Sequence, residues 1–140
     1  LASCARLSIP YTLHVAIGTD IVHQHPTADG GAIGKTSLRD FHILCASVAK
    51  LGHGGIVLNL GSAVVMPEVF LKCLAVARNL HPDVHNFTTA NFDMIQHYRP
   101  TVNVVNRPNS NGGKGFAITG HHEIMLPLFA ATVQEYASVR

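Results

Sequence analysis

Short β-branched, apolar runs that stop at glycine or small polar residues alternate along this chain with stretches of helical period. That alternation constrains the fold more than any other feature. Ile9 to Ile17 (IPYTLHVAI) stops at Gly18 and reads as a strand. Asp20 to Thr36, with Pro26, Gly30, Gly31 and Gly34, reads as a loop. Ser37-Leu38-Arg39-Asp40 then has the form of a helix-capping box. Phe41, Leu44, Cys45, Val48 and Leu51 follow at helical spacing up to Gly52. Ile56 to Leu60 (IVLNL), between Gly55 and Gly61, has the form of a buried parallel strand. Pro67 and Glu68 suit the first turn of a helix running to about Asn79. His85 to Thr89 predicts a third strand, Val102 to Val105 an edge strand between Pro100 and Pro108, and Gly115 to Thr119 a last strand. Ile124 to Ala137 predicts a last helix, with Pro127 in its first turn. Such an order calls for right-handed crossovers and a mostly parallel sheet with helices on both faces.

A chain of 140 residues suits a single α/β domain over residues 1–140 and needs no disulfide or metal staple. A start at Leu1, with no leader pattern, is what the C-terminal part of a longer chain would show. Charged residues make up 13%, about half the roughly 25% usual for soluble domains, as expected if a partner subunit or further chain covers the surface. A homo-oligomer is therefore expected. A net charge of +2 with scattered basic residues excludes a nucleic-acid footprint. No apolar stretch approaches the roughly 20 residues of a membrane span. Cys4, Cys45 and Cys73 form no CxxC spacing, and the latter two sit in apolar helical stretches as free thiols, which fits a cytoplasmic setting.

The unusual residues fall where predicted strands end: Gly18-Thr19-Asp20, Gly61-Ser62-Ala63, Thr88-Thr89-Ala90-Asn91, and Thr119-Gly120-His121-His122-Glu123. In a parallel sheet such positions share the carboxyl edge, the usual ligand crevice. Glycines admit a ligand to the backbone, and the following helix N-termini offer N–H groups to an anion. Asp93 can bind a ribose hydroxyl and Arg99 a carboxylate or phosphate, unless that irregular segment serves an oligomer contact. Among ten histidines, His23-Gln24-His25 with Asp20 and Asp29 forms an HxH group of the kind zinc uses. His121 and Glu123 are candidates for proton transfer. Asn109 to Lys114 (NSNGGK) lacks the order of a phosphate loop and reads as a turn. His14, His42, His53, His81 and His85 belong to no constellation and read as solvated or core-edge residues.

Taken in order, these segments resemble the C-terminal half of the deoxyhypusine synthase family. Pro26 through Asp29-Gly30-Gly31-Ala32-Ile33-Gly34 is similar to that family's Pro-containing Asp-Gly loop, and Ile56 through Gly61-Ser62-Ala63-Val64-Val65 to its strand and Gly-rich turn. Leu126-Pro127-Leu128-Phe129 is similar to its last helix. The resemblance implies a three-layer, Rossmann-like fold that binds NAD. With the strand-end clusters, the expected cofactor edge is Gly18, Thr19, Asp20, Asp29, Gly30, Gly61, Ser62, Asn91 and Asp93, with His23, His25, His121 or Glu123 for proton transfer. Met66 stands where the family has its nucleophilic lysine, and a thioether cannot form an imine. The expectation is thus an NAD-type or related small ligand without that transfer chemistry. The alternatives are a metal-dependent hydrolase built on Asp20, His23 and His25, zinc being the metal, and a non-catalytic oligomeric module.

Overall fold

A computed structural model describes residues 1–139. Its centre is a three-stranded parallel sheet of β1 (Ile56–Leu60), β2 (Thr88–Asp93) and β3 (Lys114–Thr119), in that order across the sheet. Leu60 stands level with Phe92, Phe92 with Ile118, and Asp93 with Thr119, so all the carboxyl ends share one rim. The chain is α/β, as the alternation predicts.

Helix α1 (Ala2–Arg6) is a short exposed turn, and α2 (Gly30–Val48) leads to β1. Asp29, not Ser37, caps α2: its Oδ1 accepts from the N–H groups of Gly31 at 2.8 Å and Ala32 at 3.1 Å. Helical glycines cost up to about 1 kcal/mol each relative to alanine, which is why the sequence reads as a loop there. Docking of Cys45 and Val48 into the core outweighs that cost.

Helix α3 (Val65–Leu80) joins β1 to β2. It buries Pro67, Phe70, Cys73, Leu74 and Ala77, a stripe at helical spacing. Pro67 loses no bond, because first-turn N–H groups have no partner within the helix. Val84 and Phe87, on the approach to β2, complete the core with Val104. Arg78 ties this end down by donating to Val84 O at 3.1 Å and Pro108 O at 2.6 Å, with its guanidinium over the Phe87 ring.

Between β2 and β3 the chain forms α4 (Tyr98–Pro100), a π-helical turn (Thr101–Asn106) and a 3₁₀ turn (Arg107–Asn109). The strand expected at Val102–Val105 is absent. Helical winding sends Val104 into the core and lets Asn103 donate to Glu68 Oε1 at 2.9 Å, two contacts that local β-propensity cannot anticipate. The third strand also lies further along than His85–Thr89. Residues 88 to 93 are its body, and Thr89 and Asn91 are fully buried.

Helix α5 (His122–Ser138) follows β3 and packs on the opposite face of the sheet, where the Phe129 ring meets Phe92 at 5.6 Å. Helices therefore cover both faces. Pro127 lies inside α5, beyond its first turn. Ile9–Ile17 forms no strand. The segment runs beside α2, and Leu13 N–H donates to Asp40 Oδ2 at 2.8 Å, a bond to a side chain in place of a sheet ladder.

Candidate functional site

The shared rim gathers the ends of all three strands. Gly61 N–H donates to Phe92 O at 3.1 Å, and Gly120 N–H to Asp93 O at 3.2 Å, so the ladder runs to the last residue of each strand. Gly61 turns the chain with φ +69°, a left-handed conformation that favours glycine. Ser62 Oγ then accepts from Met66 N–H at 3.2 Å and satisfies one donor of the α3 N-terminus.

Beneath the rim runs a chain of amides that sequence reasoning missed, apart from Asn91. Asn59 Nδ2 donates to Ser62 O at 2.9 Å and to Asn91 Oδ1 at 2.6 Å. Asn91 Nδ2 donates to Gln96 Oε1 at 2.7 Å. Gln96 Nε2 closes the chain on Ile118 O and Thr119 Oγ1, each at 3.2 Å. All three strand ends are thereby linked through side chains. Asn91 is fully buried and supports the rim from below. A polar residue inside an otherwise apolar strand, such as Asn59 in IVLNL, was the available signal.

Asp93 ends β2 nearly buried, with Oδ1 accepting from Met94 N–H at 2.8 Å. After β3, it is His122 that reaches back to β2. His122 Nε2 lies 3.0 Å from Phe92 O, and its ring stands where a Cβ on Gly61 would come within 3.2 Å. A carbonyl only accepts, so this hydrogen bond places a proton on Nε2. His121 is the N-cap of α5 and exposed, and Glu123 is an exposed first-turn residue. Adjacent residues point apart, so only one of the two histidines can face the strand ends.

The remaining expected site residues bond locally. Asp20 Oδ2 accepts from Ala16 N–H at 2.8 Å, and Thr19 Oγ1 donates to Ala16 O at 2.9 Å. His23 Nδ1 accepts from Gly18 N–H at 3.4 Å, and His25 Nδ1 lies 2.8 Å from Thr27 Oγ1. Asp29 caps α2 through Oδ1, and Gly30 is the first helical residue where a loop was expected. Among the described residues no three His, Cys, Asp or Glu side chains are placed to hold a metal ion, so Asp20, His23 and His25 do not form the expected cluster. Arg99 is likewise engaged, with Nε 3.3 Å from Glu68 Oε1.

Two apolar surfaces adjoin the site. An open groove of about 390 Å³ runs along the free edge of β1 to Ser62 and Met66. On the other face of the sheet, α5 buries none of its residues, and Ile124, Leu128 and Val133 are at least half exposed. No described helix is long and apolar enough to cross a membrane.

No protein-family model, no curated protein and no solved structure matches this chain.

Proposed function

We propose that this domain binds a small nucleotide-type ligand, NAD or a related adenine nucleotide, along the carboxyl rim of its sheet. The observation that carries the reading is the register: Gly61-Ser62, Asp93 and Thr119-Gly120 end level with one another and are linked by the Asn59–Asn91–Gln96 amides. The residues suit the parts of such a ligand. The turn at Gly61 opens α3, whose N-terminal N–H groups favour a phosphate. Asp93 keeps Oδ2 as an acceptor for a ribose hydroxyl, its Oδ1 being held by Met94. His122 stands at the same rim, held on Phe92 O, as the candidate for proton transfer. A bound nicotinamide would supply hydride chemistry. The chain's own residues hold phosphate and sugar and move a proton. With Met66 in the α3 first turn, imine-based transfer is not part of this reading.

Thermal-shift titration with NAD, ADP-ribose and FAD at millimolar ligand tests the proposal. Stabilisation by NAD or ADP-ribose that is lost in Asp93→Asn supports it. The absence of a shift with all three overturns it.

The unburied α5 favours a second reading, a self-associating module in which the sheet's outer face and α5 of two or more copies cover one another. Light scattering decides this: a stable oligomer that Phe129→Glu dissociates supports it, and a monomer at micromolar concentration excludes it.

A further inference from the structure

The open edge of β1 has a defined set of unpaired backbone groups. Gly61 N–H donates to Phe92 O, and Gly55 O accepts from Thr88 N–H, so residues 55, 57, 59 and 61 address β2. By the twofold period of a strand, Ile56, Leu58 and Leu60 turn their N–H and C=O groups away, toward the groove. The far side of that groove is formed by Leu44, Ser47 and Val48 of α2. A row of unpaired donors and acceptors facing an apolar helix surface is a slot for one more strand.

We propose that Ile9–Ile17 occupies this slot as a fourth parallel strand in a second state of the fold, converting the free edge into an interior one. Connectivity supports this occupant over any other. The strand order follows the chain order, and α3 and the α4 segment cross over one face. α2 packs on α3. A segment that feeds α2 and continues into β1 by the same right-handed crossover lies on the free side of β1, beneath α2. The segment has matching chemistry, with Ile9, Tyr11 and Leu13 at a spacing of two and each more than half exposed where they now lie. Pro10 lacks an N–H, which an edge strand tolerates. The distance to travel is short. His14, Val15 and Ile17 already share a cavity with Ser37 and Phe41 of α2, about one helical turn from Leu44 in the groove. Docking exchanges the Leu13–Asp40 bond for a ladder on β1. It also carries Gly18-Thr19-Asp20 to the rim beside Gly61-Ser62. That last consequence rests on the ligand reading above, and the docking itself does not.

Residue-resolved hydrogen exchange on the ligand-free full chain tests the docking. The amides of Ile56, Leu58 and Leu60 are expected to exchange about a hundredfold slower than unpaired chain. In the Leu13→Pro/His14→Pro variant they become fast while Val57, Asn59 and Asn91 stay slow. Fast exchange of the three amides in the unaltered chain overturns the proposal. So does protection that survives the prolines and rises with protein concentration, which assigns the edge to a second copy. Should the proline variant lose protection at Asn91 as well, the Val15→Cys/Leu58→Cys pair in a Cys4→Ser background decides. An intramolecular disulfide supports docking, and an intermolecular disulfide or none refutes it. Protection without any nucleotide-induced thermal shift sinks only the ligand reading, and the converse sinks only the docking.

Discussion

Asn59 and Asn91, on neighbouring parallel strands, share a 2.6 Å amide hydrogen bond inside the sheet, and both are buried. The register that places Asn59 level with Asn91 makes this bond possible. Asn91 also donates to Gln96, so the pair is the middle of a chain and not an isolated contact. Asn91→Ala strands the amides of both neighbours, and a buried amide without its partner costs about 1–3 kcal/mol. Thermal and urea unfolding should show a loss of about 2 kcal/mol, a Tm lower by on the order of 5–10 °C. A change below roughly 0.5 kcal/mol would show that the amide chain is dispensable.

Gly61 and His122 form a second coupled pair. Gly61→Ala forces an L-residue to φ +69° and brings its Cβ against the imidazole. The left-handed backbone alone costs roughly 1–2 kcal/mol. The crowding also displaces the ring from Phe92 O, which shifts the His122 imidazole resonances in NMR spectra. In a His122→Ala background the same substitution should cost less, and a double-mutant cycle isolates the difference.

His14 provides a pH signature. Burial pushes its pKa below the ordinary histidine value, against a smaller upward pull from Asp40. The folded chain thus prefers neutral His14, and the unfolded chain binds the proton more readily. Stability should fall as pH drops below about 6.5 and level off once the folded pKa is passed. The difference in Tm between the unaltered chain and His14→Gln, followed from pH 7.5 to pH 5, should move in favour of the variant. A constant difference would refute the assignment.

The cysteines should separate cleanly in thiol labelling. Burial, with Cys45 beside it, pushes the Cys73 thiol up to about 12, so no useful thiolate forms near neutrality. Cys4 is only half-buried, on the short α1. Under native conditions a disulfide reagent at pH 8 should modify Cys4 first, and Cys73 only after unfolding by urea. Prompt native labelling of Cys73 would mean that the α2–α3 packing opens readily.

What the sequence determined by itself is the set of elements whose signal is local. Ile56–Leu60 between glycines, the stripe from Pro67 to Ala77, and Gly115–Thr119 with the helix after it all stand where residue order places them. In the α3 stripe the period reports directly which side meets the core, whereas Ile56, Leu58 and Leu60, expected inside the sheet, stand exposed because β1 is an edge strand. The rim clusters at Gly61-Ser62 and Thr119-Gly120 follow, because a parallel sheet aligns its strand ends. Tertiary structure decided everything that depends on a distant partner. Asn91 became a buried support because Asn59 and Gln96 flank it, and His122 took the rim because a carbonyl of β2 lies within reach. Asp29 displaced Ser37 as a cap because α2 gains more by packing on α3 than its glycines lose. Ile9–Ile17 shows the boundary most plainly. A β-prone segment becomes a strand only when an edge accepts its hydrogen bonds, and no property of the segment alone says whether that edge is taken.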